Sequence, residues 1–280
     1  MTRSALRHTL RWFTQHVPVR GRMKLADKLG KAIAPPGPEL LDVNGIKVEL
    51  DHAILTHRMM FYDLYEENVM IFLKGYLRPG MVVLDPGANL GYFAGKCLGM
   101  VSPGGQVHSF EPSATCLERL RRSNDHGCIK GWSLMPMALT DHAGEMTFYD
   151  TPRVITRGYA CLENVGTPGD RIAHQVQVTT VDLYCEENGI ERVDFLKLDI
   201  EGSELPALRG AERMMARGSL PVILVETTLT EKNRTTIEAI DFLLRKAGYR
   251  SYHVNGNGSL RLINVLEREQ LREDIIWKLG

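Results

Sequence analysis

Residues 81–91, Met-Val-Val-Leu-Asp-Pro-Gly-Ala-Asn-Leu-Gly, constrain this chain more than any other stretch. Four apolar residues, Met81 to Leu84, end at a carboxylate, Asp85, and then at a turn holding Gly87 and Gly91. Helix-compatible residues follow from Tyr92 to Met100. A buried strand, a tight turn and a helix in that order make the first βα unit of a nucleotide-binding sheet. The two glycines allow positive φ and let the backbone come close to a ligand.

The charge at the strand end selects among ligands. A dinucleotide turn reads G-x-G-x-x-G and aims backbone amides at a pyrophosphate. Here only Gly87 and Gly91 are present, and Asp85 puts a negative charge where a pyrophosphate would sit. That charge suits a ligand carrying ammonium and sulfonium groups, as S-adenosylmethionine (SAM) does, better than it suits NAD. About 20 residues beyond the turn, the strand 106–110 ends at Glu111, the interval at which a carboxylate meets a ribose diol in Rossmann-like sites. Further on, the buried strand Val193–Leu198 leads to Asp199-Ile200-Glu201-Gly202-Ser203-Glu204, and Pro221–Val225 leads to Glu226. These strand ends should face the Asp85 turn across the crevice of an open α/β sheet.

The segments 85–91, Phe110-Glu111-Pro112, 198–204 and Val225-Glu226, in this order, resemble the FkbM family of SAM-dependent methyltransferases. The resemblance covers roughly residues 66–255. Pro86 departs from it, standing where the family has a small or β-branched apolar residue. The resemblance implies a Rossmann-like class I SAM-dependent methyltransferase fold: a mostly parallel seven-stranded sheet with a C-terminal antiparallel hairpin and helices on both faces. It implies SAM as cofactor, held by Asp85, Gly87, Ala88, Asn89, Gly91, Glu111 and Pro112, with Ala138 in the stretch lining the adenine. It also makes Glu66, on the helix before the turn, the candidate for a glutamate near the cofactor, with a solvated helix-surface glutamate as the equal alternative.

Members of the family that methylate hydroxyls of sugars or polyketide-type products need a group to take the hydroxyl proton. Asp199 and Glu201 are the candidate catalytic residues, with Glu226 third. Two other roles stand beside these: Asp199 as a holder of the methionyl end of SAM, and Glu201 or Glu204 as a cap on the helix that follows. No dedicated carboxylate cage is evident and no metal is assigned. The expected partner is a small-molecule or glycan acceptor. An NAD(P)-dependent oxidoreductase on the same sheet, and a non-catalytic SAM-binding scaffold, are the competing readings.

Composition narrows the partners. Lysine and arginine total 34, as do aspartate and glutamate. With no net charge there is no global field for a polyanion, and nucleic acid is not an expected partner. Five scattered cysteines without a C-x-x-C pair argue for a reducing, cytoplasmic setting. The first 38 residues differ from the rest, with eight basic residues against Asp27 alone, closed by Pro35-Pro36-Gly37-Pro38. A basic amphipathic helix over 4–15 is expected there. It either docks peripherally on an anionic membrane or acidic partner, or caps the domain or another subunit.

The chain divides into this extension (1–38), a leading hairpin at Asn44-Gly45 and a helix over about 58–77 (39–80), the SAM-binding domain (81–266) and a charged C-terminal helix (267–280). That last helix is expected at a subunit edge of a homo-oligomer. Residues 133–139 are read as one strand. Residues 151–174 lack periodicity and are read as a substrate-contacting insertion.

Overall fold

The structure is a computed structural model; it describes residues 2–17, 19, 21–124, 128–150, 172–231, 233–268 and 271–280. The insertion expected to contact substrate therefore lies outside the described residues except at its last few positions.

Two helices, α1 (Arg3–His16) and α2 (Arg22–Ala32), precede a hairpin of β1 (Glu39–Val43) and β2 (Ile46–Leu50). Both turn residues of that hairpin, Asn44 and Gly45, have positive φ, as a tight two-residue turn requires. Next come α3 (Leu55–Phe61) and α4 (Glu67–Tyr76), then β3 (Val82–Pro86), α5 (Tyr92–Val101), β4 (Gln106–Phe110) and α6 (Ala114–Ser123). The chain continues through β5 (Trp132–Met135), β6 (Met137–Leu139), β7 (Gly144–Asp150) and β8 (Ile172–Thr179). It ends with α7 (Val181–Glu187), β9 (Phe195–Leu198), α8 (Glu204–Arg209), α9 (Glu212–Ala216), β10 (Val222–Leu229), α10 (Arg234–Lys246), β11 (Tyr249–Val254), β12 (Leu260–Leu262) and β13 (Leu271–Leu279).

The main sheet runs β12-β11-β13-β10-β9-β3-β4-β5. Strands β5, β4, β3, β9 and β10 are parallel, and β13 enters antiparallel between β10 and β11. The chain winds outward from β3 on one side and from β9 on the other, so the strand order reverses between them. Ligands of open α/β sheets bind in the crevice at the carboxyl ends of such a pair. This is the class I methyltransferase topology, a seven-stranded sheet with β12 added as a short eighth strand. Alternation along the strands sends Val83 and Phe195 into a core with α4, α5 and the first hairpin. Leu84 and Leu196 enter a second core with α7 to α10.

Four elements differ from the sequence expectation. The expected helix 58–77 is two helices, broken where Asp63 and Glu66 take φ of 60° and 47°. Tyr92 and Lys96 both donate to Asp63 Oδ1, which holds the break in place. The expected strand 133–139 divides at Pro136, which has no N–H to give to a ladder; β6 instead pairs with β8 in a separate three-stranded sheet, β6-β8-β7. The expected C-terminal helix is the strand β13. Charges at Arg272, Glu273, Asp274 and Lys278 resemble a helix surface, but Ile275, Ile276 and Trp277 are all buried, as a central strand covered on both faces demands. Because β13 pairs along all of β10, Glu226 lies inside that strand rather than at its end.

Candidate active site

The turn after β3 is tied to the end of β4. Gly87 N and Ala88 N both donate to Phe110 O, at 2.8 and 3.1 Å, and Asn89 N donates to Glu111 Oε2 at 2.8 Å. Ser113 N donates to Glu111 Oε1 at 2.8 Å, and Ser113 in turn caps α6. Each Glu111 oxygen thus takes one amide and keeps a lone pair for a further donor. Burial pushes the Glu111 carboxyl up to about 7, against the pull of those two amides.

The glycines of the turn serve protein packing. Gly87 has φ of +77°, and a Cβ there would collide with the carbonyl oxygen of Asp199. Its absence brings the ends of β3 and β9 together. A Cβ on Gly91, which opens α5, would crowd Leu120 and Ile46.

Asp85 lies beneath the floor of the crevice and is fully buried. Its Oδ2 accepts from Ser109 Oγ at 3.2 Å, while its Oδ1 is buried without a partner. Burial raises its carboxyl to about 6, opposed by the ammonium of Lys197.

Lys197 organises the rest. It sits within the apolar strand Phe195-Leu-Lys-Leu198, and the two-residue period puts it on the same face as Asp199. Its Nζ lies 2.7 Å from Asp199 Oδ2 and 5.1 Å from the centroid of the Phe93 ring. Burial would strip the proton from this amine. The charges of Asp199, Glu66 and Asp85 and the nearby Tyr65 reverse that and hold Lys197 firmly protonated.

Strand register brings more carboxyls to this face. Val225 pairs with Leu198, so Glu226 stands beside Asp199, and Asp274 lies directly opposite Glu226 in β13. Glu66, at the break between α3 and α4, reaches the same group and leaves Oε2 buried without a partner. Burial pushes the Asp199 carboxyl up, but the Lys197 ammonium and hydrogen bonds from Glu226 and Lys197 outweigh it and hold the group below the ordinary carboxylate range. Glu226 moves the other way: burial, the adjacent Asp199 charge and their shared hydrogen bond all favour its protonated form. The two shifts run in opposite directions and favour a proton on Glu226 over one on Asp199.

Glu201 follows in the left-handed region, with φ of 52°. The loop around it is secured by Glu204, whose Oε1 accepts from Ile200 N at 3.1 Å and Gly202 N at 3.2 Å. Glu204 therefore satisfies two amides of this loop. Oxygens of Asp199, Glu201 and Glu226 all lie within 4.8 Å of one another, close enough to share a cation. The Lys197 ammonium already engages Asp199 there.

Of the predicted residues, the fold gathers Asp85, Gly87, Ala88, Asn89, Gly91 and Glu111 around one turn, with Pro112 following Glu111. Asp199 and Glu201 face that turn across the β3–β9 crevice. Ala138 sits in β6, past the Pro136 break and outside the main sheet. Lys197 and Asp274 were not foreseen. A lysine inside an apolar strand, two residues before an aspartate, was the available signal for Lys197; Asp274 was hidden by the helix reading of its segment.

Residues 85–251 match the family model of the methyltransferase FkbM domain. The chain belongs to the FkbM methyltransferase family. It is 30% identical over 180 residues to 31-O-demethyl-FK506 methyltransferase FkbM of Streptomyces tacrolimicus, a match covering 55% of this chain and 68% of that one. It is 22% identical over 151 residues to 2-O-methyltransferase NoeI of Sinorhizobium fredii, covering 50% and 61%. Among solved structures it is similar to the FkbM methyltransferase of Methylobacillus flagellatus, with a TM-score of 0.45, 18% identity, and coverage of 92% of this chain and 59% of that one. The matched part of this family member thus spans about three fifths of the length of both NoeI and the Methylobacillus protein.

Proposed function

We propose that this FkbM-family chain transfers a methyl group from SAM to a hydroxyl oxygen of a sugar, glycan or secondary-metabolite acceptor. The observation that carries this reading is the placement of Asp199 just past the end of β9, 2.7 Å from the Lys197 ammonium and grouped with Glu201 and Glu226 at the β3–β9 crevice. A base that takes a hydroxyl proton must be ionised and fixed in position; the Lys197 ammonium does both for Asp199 and lowers its basicity in doing so. Two relatives, 31-O-demethyl-FK506 methyltransferase FkbM and 2-O-methyltransferase NoeI, are named for O-methylation and give the reading its direction.

The residues present fit SAM. Its sulfonium and ammonium groups would meet a face rich in carboxylates, where Asp85 Oδ1 and Glu66 Oε2 are buried and unpartnered. Asp85, the 87–91 turn and Glu111 would hold it, with the free lone pairs of Glu111 available to hydroxyls. Bound there, SAM supplies an already activated methyl carbon. The chain's own part is to orient the acceptor hydroxyl, exclude water and receive its proton at Asp199. Alignment of reactants alone can contribute roughly 7–11 kcal/mol in favourable cases. Glu201 stands at the same mouth as the second proton-accepting candidate.

The four described cysteines are unpaired, in keeping with the proposed cytoplasmic setting. No described helix is long and apolar enough to cross a membrane.

Calorimetric titration with SAM, S-adenosylhomocysteine and NAD(H), followed by methyl incorporation into hydroxylated acceptors, tests the proposal. Binding of both adenosyl ligands with transfer to oxygen is expected. NAD(H) binding alone would favour the oxidoreductase, and adenosyl binding without transfer to any acceptor class would favour the scaffold.

A further inference from the structure

The N-terminal helices separate their basic residues into two groups. The inward group fastens them to the domain. Arg7 pairs with Glu39, Arg22 pairs with Glu67, and Thr14 Oγ1 donates to Tyr62 O at 2.9 Å. On α2, Ala26 is fully buried and Gly30 packs so closely on the Tyr62 ring that a Cβ would collide with it. Asp27, the one acid among the first 38 residues, is 40% exposed and is neutralised by its ion pair with the buried Arg58.

The outward group has no such partners in the ion pairs of the described residues. Lys24, Lys28 and Lys31 follow one another at helical spacing and form one exposed stripe of α2. Leu25 and Leu29 form an adjoining exposed stripe. Beside them α1 exposes Leu6 and Trp12, the latter at 57%. Six of the eleven large hydrophobic residues exposed among the described residues fall between Leu6 and Leu29. A helix that shows apolar side chains flanked by lysines, with its only acid neutralised by Arg58, has the composition of an interfacial helix. Lysine stems can lie along the apolar stripe while the ammonium groups reach outward, and tryptophan favours the same boundary.

We infer that the exposed faces of α1 and α2 form a docking surface for an anionic lipid bilayer, seating the protein peripherally with Trp12, Leu25 and Leu29 at the headgroup boundary. Charge complementarity commits the occupant: the face carries three lysines and a single acid, Asp27, already neutralised by Arg58, while the remainder of a chain with no net charge is acidic and would be repelled by the same lipids. The inference is independent of the reaction catalysed. It does bear on the active site, because Tyr62 and Glu67, which the two helices grip, flank Tyr65 and Glu66.

Flotation of the full chain with vesicles of phosphatidylcholine, with and without phosphatidylglycerol, tests this. Binding to the anionic vesicles should exceed binding to the neutral ones by about tenfold or more and weaken with salt. Trp12 emission should shift to the blue on binding, a change absent from Trp12→Phe. Lys24→Glu/Lys28→Glu should abolish flotation while thermal unfolding and SAM titration match the parent chain. Failure to float with anionic vesicles overturns the inference, as does equal binding to neutral ones. So does a concentration-dependent dimer in sedimentation that the same variant dissolves, which would show that a second copy covers this face.

Discussion

Lys197 Nζ lies 2.7 Å from Asp199 Oδ2, so a residue inside β9 and the residue just past its end form an ion pair within the face that carries Asp85, Glu226 and Asp274. The pair is a charge device before it is anything else. Among the described residues Lys197 is the one cation set against these five carboxyl groups, counting Glu66, and burial shifts Glu66, Asp85, Glu226 and Asp274 toward their protonated forms. Lys197→Met should therefore destabilise the protein by about 3 kcal/mol, the cost of leaving a mostly buried carboxylate without its partner. Adding Asp199→Asn should restore most of the loss. Urea unfolding of the two single variants and the double variant measures the coupling; independent, additive effects would show that the pair is not the source.

The Gly87 approach to Asp199 makes a second prediction. Gly87→Ala combines a strained positive φ with a collision at the Asp199 carbonyl, so it must push β3 and β9 apart. Affinity for SAM should fall by about tenfold or more, since displacements of about 1 Å at a site carry effects of that size. Gly202→Ala is the control. Its φ is +99°, yet no atom lies within 4 Å of the added carbon. It should cost about 1 kcal/mol of stability through backbone strain alone and leave SAM affinity near the parent value. Equal losses of affinity in both variants would show that strain, not the collision, is responsible.

Stability should pass through a maximum between about pH 5 and pH 6, where the charging of unfolded histidines balances the loss of protons from unfolded carboxylates. Above it, Glu111, raised to about 7 by burial, and the raised Glu226 and Asp274 still hold protons that the unfolded chain has lost. The folded state then binds more protons than the unfolded one, so the unfolding free energy falls as pH rises. Below the ordinary histidine value of 6.5 the buried His57, lowered to about 4, works in the other direction, as do the lowered His52 and His108. Those imidazoles stay neutral in the fold while the unfolded chain charges, and stability falls on acidification. Thermal unfolding from pH 5 to pH 8 reads the maximum, and Glu111→Gln should flatten the alkaline limb. A limb unchanged by that variant would sink the assignment.

Much of this was legible in the residues, for physical reasons that also explain the misses. The βα turn, Glu111 and the Asp199 loop are local patterns, an apolar strand stopping at a carboxylate, and each was placed correctly by its own sequence. What local pattern could not show was register. Glu226 looked like a strand end because its apolar run stops there, yet β13 arrives from the far end of the chain and prolongs β10 beyond it. The same distant pairing turns the charged segment 271–279 into a strand and sets Asp274 opposite Glu226. Pro136 was the opposite case, a local signal for a strand break that the apolar run 134–139 obscured.

The shared proton of Asp199 and Glu226 separates two kinds of variant. Glu226 is the protonated member, because burial and the neighbouring Asp199 charge both oppose its ionisation. Glu226→Gln keeps a neutral donor of nearly the same shape facing Asp199, and methyl transfer should stay within about threefold of the parent, since no charge is lost and one hydrogen bond is retained. Glu226→Ala removes that donor and should lower transfer by about tenfold, through a base that is less well held. Asp199→Asn removes the proton acceptor itself and should cost about 10²–10⁴-fold, the usual range for a general base. The acid limb of the pH–rate profile gives the discriminating readout. It should move upward in Glu226→Ala, where Asp199 has lost one of the two groups that keep it ionised, and stay in place in Glu226→Gln. If Glu226→Gln proves as damaging as Asp199→Asn, then the negative charge resides on Glu226 in the working enzyme, and the roles of the two carboxyls must be exchanged.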